Sequence, residues 1–100
     1  MANSLRAKDF EKFAAKVIDH IDNYTVPQYG DKGEDQATEY NSADHVKQAK
    51  KYLGRYGANS RPGQEILDML KAAHYIQLAA LSMKREEATY FPFVAMKKTI

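Results

Sequence analysis

Cysteine is absent from the 100 residues. That excludes disulfides and thiolate metal sites, and it leaves the redox compartment unread. No apolar run approaches the roughly 20 residues of a bilayer span, so no membrane partner is expected. The first six residues lack the apolar stretch of a secretory signal, which makes the cytoplasm the expected location. His20, His45 and His74 fall on three separate segments with no H-x-x-x-H spacing, so zinc is not expected. Gly30 and Gly33 are too few to cradle a phosphate. Ser42 and Ser60 read as helix caps, and Ser82 as a small helix residue, so none has a nucleophile's context. Charge of one sign is missing as well: 15 basic residues stand against 13 acidic ones, and a net +2 does not by itself name a nucleic-acid partner. Repeats and low-complexity tracts are also missing.

What remains is the composition of one small folded domain spanning residues 1–100. Hydrophobic residues are 44% and charged residues 28%, which excludes both disorder and a membrane protein. A domain of this size buries only about 65% of its unfolded surface, so self-association would help it.

The helical pattern is clearest at the start. Phe10, Phe13, Ala14, Val17, Ile18, Ile21 and Tyr24 fall within an arc of roughly 140° at helical spacing. Ser4 is placed to cap that helix, and Val26 before Pro27 is expected to end it. Residues 27–41 read as an acidic loop or a short helix; between Asp31 and Asp44 stand five acidic residues and one lysine. A second helix is expected from Asn41 or Ser42, with Val46, Ala49, Leu53 and Tyr56 as its buried stripe and Gly57 in the left-handed position after it. A third is expected to open with Pro62 at its first position and to end near residues 84–87. From Ile66 to Met83, 13 of 18 residues are hydrophobic, which suits a central or interfacial helix. Residues 88–100 form an aromatic, proline-interrupted C-terminal arm. The expected core joins Phe10, Phe13, Val17, Ile21, Val46, Leu53, Leu67, Leu70 and Ile76. The expected fold class is therefore all-α, a small bundle of three to four helices with an extended aromatic tail.

Two constellations carry chemistry. Glu65 and Asp68 share one helix face. With other oxygens they have the spacing to hold Mg2+, or else they favour the positive end of the helix dipole. Asp35 and Glu39, four apart, form a second carboxylate pair. Separately, Lys47, Lys51 and Arg55 make a straight row on the second helix. Five basic residues and no acidic one occur between His45 and Gln64. Such a row follows phosphates, with Tyr52 and Tyr56 offering rings to bases, or else it is a solvated face or a dock for the acidic segment.

Glu65-Ile66-Leu67-Asp68-Met69-Leu70, followed by Ala72 and Ala73, resembles the second metal motif of the all-α MazG-like nucleoside-triphosphate pyrophosphohydrolases. Tyr29-Gly30-Asp31, then Lys51-Tyr52-Leu53-Gly54-Arg55, then Asp68, Lys71 and Tyr75, resembles small phage-encoded helical domains associated with nucleotide modification. The resemblance spans about residues 29–81. It implies a nucleotide-related phage or prophage protein. For a hydrolase it implies catalytic Asp35, Glu39, Glu65 and Asp68, with Mg2+ held by Glu65 and Asp68. The pair Asp35 and Glu39 departs from the E-x-x-E which that family carries on an earlier helix.

The residues themselves favour a non-enzymatic, cofactor-free binding protein for an anionic partner: a nucleotide, a nucleic acid or an acidic protein face. The expected ligand-binding residues are Lys47, Lys51, Arg55, Tyr52 and Tyr56. A homo-oligomer, most simply a two-fold dimer, is expected through Leu78, Leu81, Met83, Phe91 and Phe93.

Overall fold

The structure, a computed structural model, describes residues 3–31 and 40–90. Among these residues it is all-α and contains no strand. It falls into two units, residues 1–31 and 32–100.

The first unit is one helical rod. Helix α1 spans Leu5–His20, and Ser4 caps it by accepting from the Ala7 N–H at 3.1 Å. The expected stop at Val26-Pro27 does not occur. A π-helical turn, Ile21–Thr25, leads into a last turn, α2, spanning Val26–Tyr29. The Val26 N–H donates to the Ile21 carbonyl, five residues back rather than four. That widened turn relaxes the carbonyl ladder where the Pro27 ring would otherwise clash with it. Val26 thus stays at φ −63° and ψ −47° in spite of the proline after it. Gly30, at φ 91°, ends the rod. Residues 27–29, expected in an acidic loop or a short helix, therefore continue the first helix, and residues 32–39 lie outside the described residues.

The second unit is a helix pair. Helix α3 spans Ser42–Leu53, and helix α4 spans Gln64–Tyr90. Asn41 caps α3 in a reciprocal box: its side chain accepts from the Asp44 N–H, and the Asp44 carboxylate accepts from the Asn41 N–H. Helix α4 begins at Gln64, two residues after Pro62, which lies in the turn before it. The helix also outlasts its expected end, so residues 88–90 of the expected C-terminal arm are helical. Residues 91–100, with Phe91 and Phe93, lie outside the described residues. No helix among the described residues is long and apolar enough to cross a membrane.

Helices α3 and α4 pack against each other, and their buried positions are small or polar apart from two leucines. Ala49, Ala72, Ala79 and Ser82 are buried together with His45, Asp68, Leu70 and Leu78. The stripe expected on α3 keeps Ala49 but is otherwise turned, with His45 and Tyr52 taking the places expected for Val46 and Leu53. His45 and Ala49 are buried with Tyr52 half-buried, while Val46 and Leu53 are 40% and 44% exposed. One residue is about 100° of helix, enough to turn a face from core to solvent. The reason lies on α4: Tyr75 stacks on Tyr52 at 5.8 Å and lies 6.3 Å from the His45 ring, so the two polar aromatics face inward. Of the expected core, Leu70 is buried, whereas Phe10 and Ile76 are 66% and 55% exposed.

Candidate anion-binding face

The connection between α3 and α4 is folded back onto α4 by carboxylates. Asp68, 2% exposed, accepts on Oδ1 from Arg55 Nη1 at 3.3 Å and Gln64 Nε2 at 3.0 Å, and on Oδ2 from Asn59 Nδ2 at 2.8 Å. Glu65 accepts from the Gly57 N–H at 2.8 Å. Gly57 sits at φ 84°, the left-handed position the sequence assigned to it. The two carboxylates expected to share Mg2+ therefore point at nitrogen donors in the connection. Among the described residues no group of three or more His, Cys, Asp and Glu side chains is placed to hold a metal ion. Asp35 and Glu39 lie outside the described residues.

The other acidic residues with described side chains in 40–86 are engaged in the same way. Asp44 belongs to the capping box. Glu86 accepts from the Ser42 N–H at 2.9 Å and from the Ser42 hydroxyl at 2.7 Å, tying the start of α3 to the far part of α4. Those two bonds, the backbone one first, hold the Glu86 carboxyl below the usual range of a glutamate.

The cations are arranged differently. Lys51 Nζ, Arg55 Cζ and Lys71 Nζ lie 5.3, 5.2 and 5.3 Å from the centre of the Tyr52 ring. Helix α3 supplies the first two cations and the ring, and α4 supplies the third. Lys47 and Lys50 are exposed on α3 beside them. Of the residues expected to bind an anion, the structure brings Lys51, Arg55 and Tyr52 together, with Lys47 one turn away. Two roles change. Arg55 is committed to Asp68, and Tyr52 is half-buried against Tyr75. Tyr56 is 70% exposed in the turn after α3. Lys71 stands outside the binding residues expected from the sequence. Its signal was its place on α4 within about 60° of Asp68 and Tyr75, so all three share a face.

Behind this face lies His45, 1% exposed, with Tyr40 edge-on at 5.9 Å. Its Nε2 is buried and has no hydrogen-bond partner among the described residues. Desolvation lowers its pKa from the ordinary 6.5, against the opposing charges of Asp44 and Glu86.

Helix α4 also carries an apolar outer face. Ile66, Met69, Ala73, Ile76, Ala80 and Met83 recur at alternating three- and four-residue spacing. Ile66, Ile76 and Met83 are 49%, 55% and 51% exposed. Of the residues expected at a subunit contact, Met83 lies on this face, Leu81 is half-buried, and Leu78 is 6% exposed and already covered within the chain.

Comparison of the chain with protein-family models, with curated proteins and with solved structures gives no match in any of the three.

Proposed function

We propose that this chain is a non-enzymatic, self-associating protein that binds an anionic partner on the face formed by α3 and Lys71. One observation carries the reading. Asp44, Glu65, Asp68 and Glu86 each accept hydrogen bonds from within the chain, while Lys47, Lys50 and Lys51 stand exposed. Residues 42–55 also carry four cations, Lys47, Lys50, Lys51 and Arg55, against one carboxylate, Asp44, so the surface of α3 is net cationic, and a cationic face concentrates anions. The experiment is a titration with inorganic polyphosphate, followed by fluorescence anisotropy at several salt concentrations. Binding should weaken steeply with salt and be lost in the double variant Lys51→Glu, Lys71→Glu. Salt-independent binding, or full binding by that variant, would remove the reading.

Self-association belongs to the same proposal, through the apolar face of α4. If two copies pair antiparallel about a two-fold axis between Ala73 and Ile76, Met69 faces Ala80 and Ala73 faces Ile76. Those two central layers each join a large residue to a small one, which lets facing helices interdigitate, and Ile66 faces Met83 at the outer layers. Sedimentation equilibrium at micromolar concentration should give a dimer mass. Ile76→Asp places a charge on the face without touching the monomer's interior, and it should give the monomer.

A further inference from the structure

The anionic-partner reading names a charge but not a molecule, and the turn after α3 supplies the missing chemistry. Tyr56 presents a ring that is 70% exposed at the C-terminal end of the basic row. Large exposed aromatics are ordinarily mobile surface features, but here both neighbours of Tyr56 are tied down. Arg55 is anchored by its side chain to buried Asp68, and the Gly57 N–H is anchored to Glu65. The backbone between them is itself bonded: the Tyr56 N–H donates to the Leu53 carbonyl at 3.2 Å, and the Ala58 N–H donates to the Arg55 carbonyl at 2.9 Å. An exposed ring on a fixed backbone suits base stacking, because only the side-chain torsions of one residue remain to be ordered on binding.

Along α3, Lys47 and Lys51 are one turn apart, about 6 Å of rise. That is a separation an extended polynucleotide strand spans between neighbouring phosphates. Lys71 from α4 and Lys51 from α3 each lie 5.3 Å from the centre of the same Tyr52 ring. A row of cations ending in an exposed aromatic matches a backbone that repeats charge and carries a flat π-face at each repeat. An acidic peptide repeats charge without that face. A duplex keeps its bases stacked and unavailable to a side chain.

We infer that the anionic partner is single-stranded nucleic acid, its phosphates on Lys47, Lys51 and Lys71 and one unstacked base on Tyr56. This rests on the anion-binding reading above and adds the class of molecule.

The test uses the full chain and four probes: a fluorescein-labelled oligothymidylate, its duplex with oligoadenylate, inorganic polyphosphate and poly-glutamate. The single strand should bind more tightly than the duplex or poly-glutamate. With three phosphates engaged, the slope of log affinity against log salt should be about −2. Tyr56→Ala should weaken the single strand about tenfold and leave polyphosphate within about twofold, and Tyr56→Phe should restore the single strand. Because Tyr56 is largely exposed, these variants spare the fold, and matching circular dichroism spectra check that. An oligothymidylate affinity unchanged in Tyr56→Ala overturns the inference. So does a Tyr56→Ala loss shared equally by polyphosphate, or a preference for the duplex or poly-glutamate. In those cases the anion-binding reading survives. Failure of all four probes to bind removes that reading itself.

Discussion

Asp68→Ala is the sharpest perturbation of the second unit, because one buried carboxylate holds both Arg55 and Asn59 of the connection between α3 and α4. At 3.3 Å from Arg55 Nη1, the gross attraction is about 5 kcal/mol for an effective dielectric constant of 20. Desolvation of Asp68, 2% exposed, offsets part of that. The Arg55 side chain is 43% exposed and returns partly to water when the pair breaks. The net loss for Asp68→Ala should therefore fall near the low end for a broken buried pair, about 3 kcal/mol. Arg55→Ala should cost less, about 1–2 kcal/mol, because Asn59 and Gln64 still donate to the carboxylate. The double variant should be little worse than Asp68→Ala alone, since both remove the same bond. Urea unfolding followed by circular dichroism reads all three; at a slope of about 1 kcal/mol per molar, Asp68→Ala moves the midpoint by about 3 M. If Asp68→Ala leaves no folded baseline, Arg55→Ala and Asn59→Ala provide the comparison. A loss below about 0.5 kcal/mol for Asp68→Ala, or strict additivity with Arg55→Ala, would refute the view that this carboxylate organises the connection.

Three further outcomes follow from the same geometry. His45 is held neutral by burial with its pKa below 6.5, so the unfolded chain takes up a proton first. Stability from this group is full above pH 6.5 and declines as pH falls through the folded value; in His45→Phe the dependence of melting temperature on pH between 7 and 5.5 should flatten. Ser42→Ala removes one of the two donors that lower the Glu86 pKa. In an NMR titration Glu86 should move up toward the ordinary 4.5, and its contribution, present above that value, should be lost at a higher pH as the solution is acidified. Gly57→Ala meets no atom of the described residues within 4 Å, but the residue must hold φ 84°. A loss of about 1 kcal/mol in urea unfolding is expected from the backbone alone, and a neutral result would show that the turn rearranges.

Local chemistry was legible in the sequence because its causes are local. Ser4 and Asn41 cap their helices because their side chains reach an N–H only three residues on, whatever the rest of the chain does. Gly57 adopts the left-handed conformation because it alone lacks the Cβ that forbids it. The all-α class followed from the spacing of apolar residues, and so did the existence of the three main helical segments. Even so, a proline rule based on an ideal helix missed the widened turn that carries Pro27.

The faces and partners were decided by tertiary structure. Apolar counting put Val46 and Leu53 inward on α3. The small residues and Tyr75 on α4 accept His45 and Tyr52 instead, and no residue on α3 encodes that choice. Glu65 and Asp68 read alike as metal ligands or as dipole partners because a carboxylate's spacing says nothing of what approaches it. Only the return of residues 54–63 onto α4 delivers Gly57, Asn59 and Arg55 to them. Lys71 joins Lys51 for the same reason: proximity across two helices is a property of their packing, and a one-dimensional spacing rule reaches only neighbours on one helix.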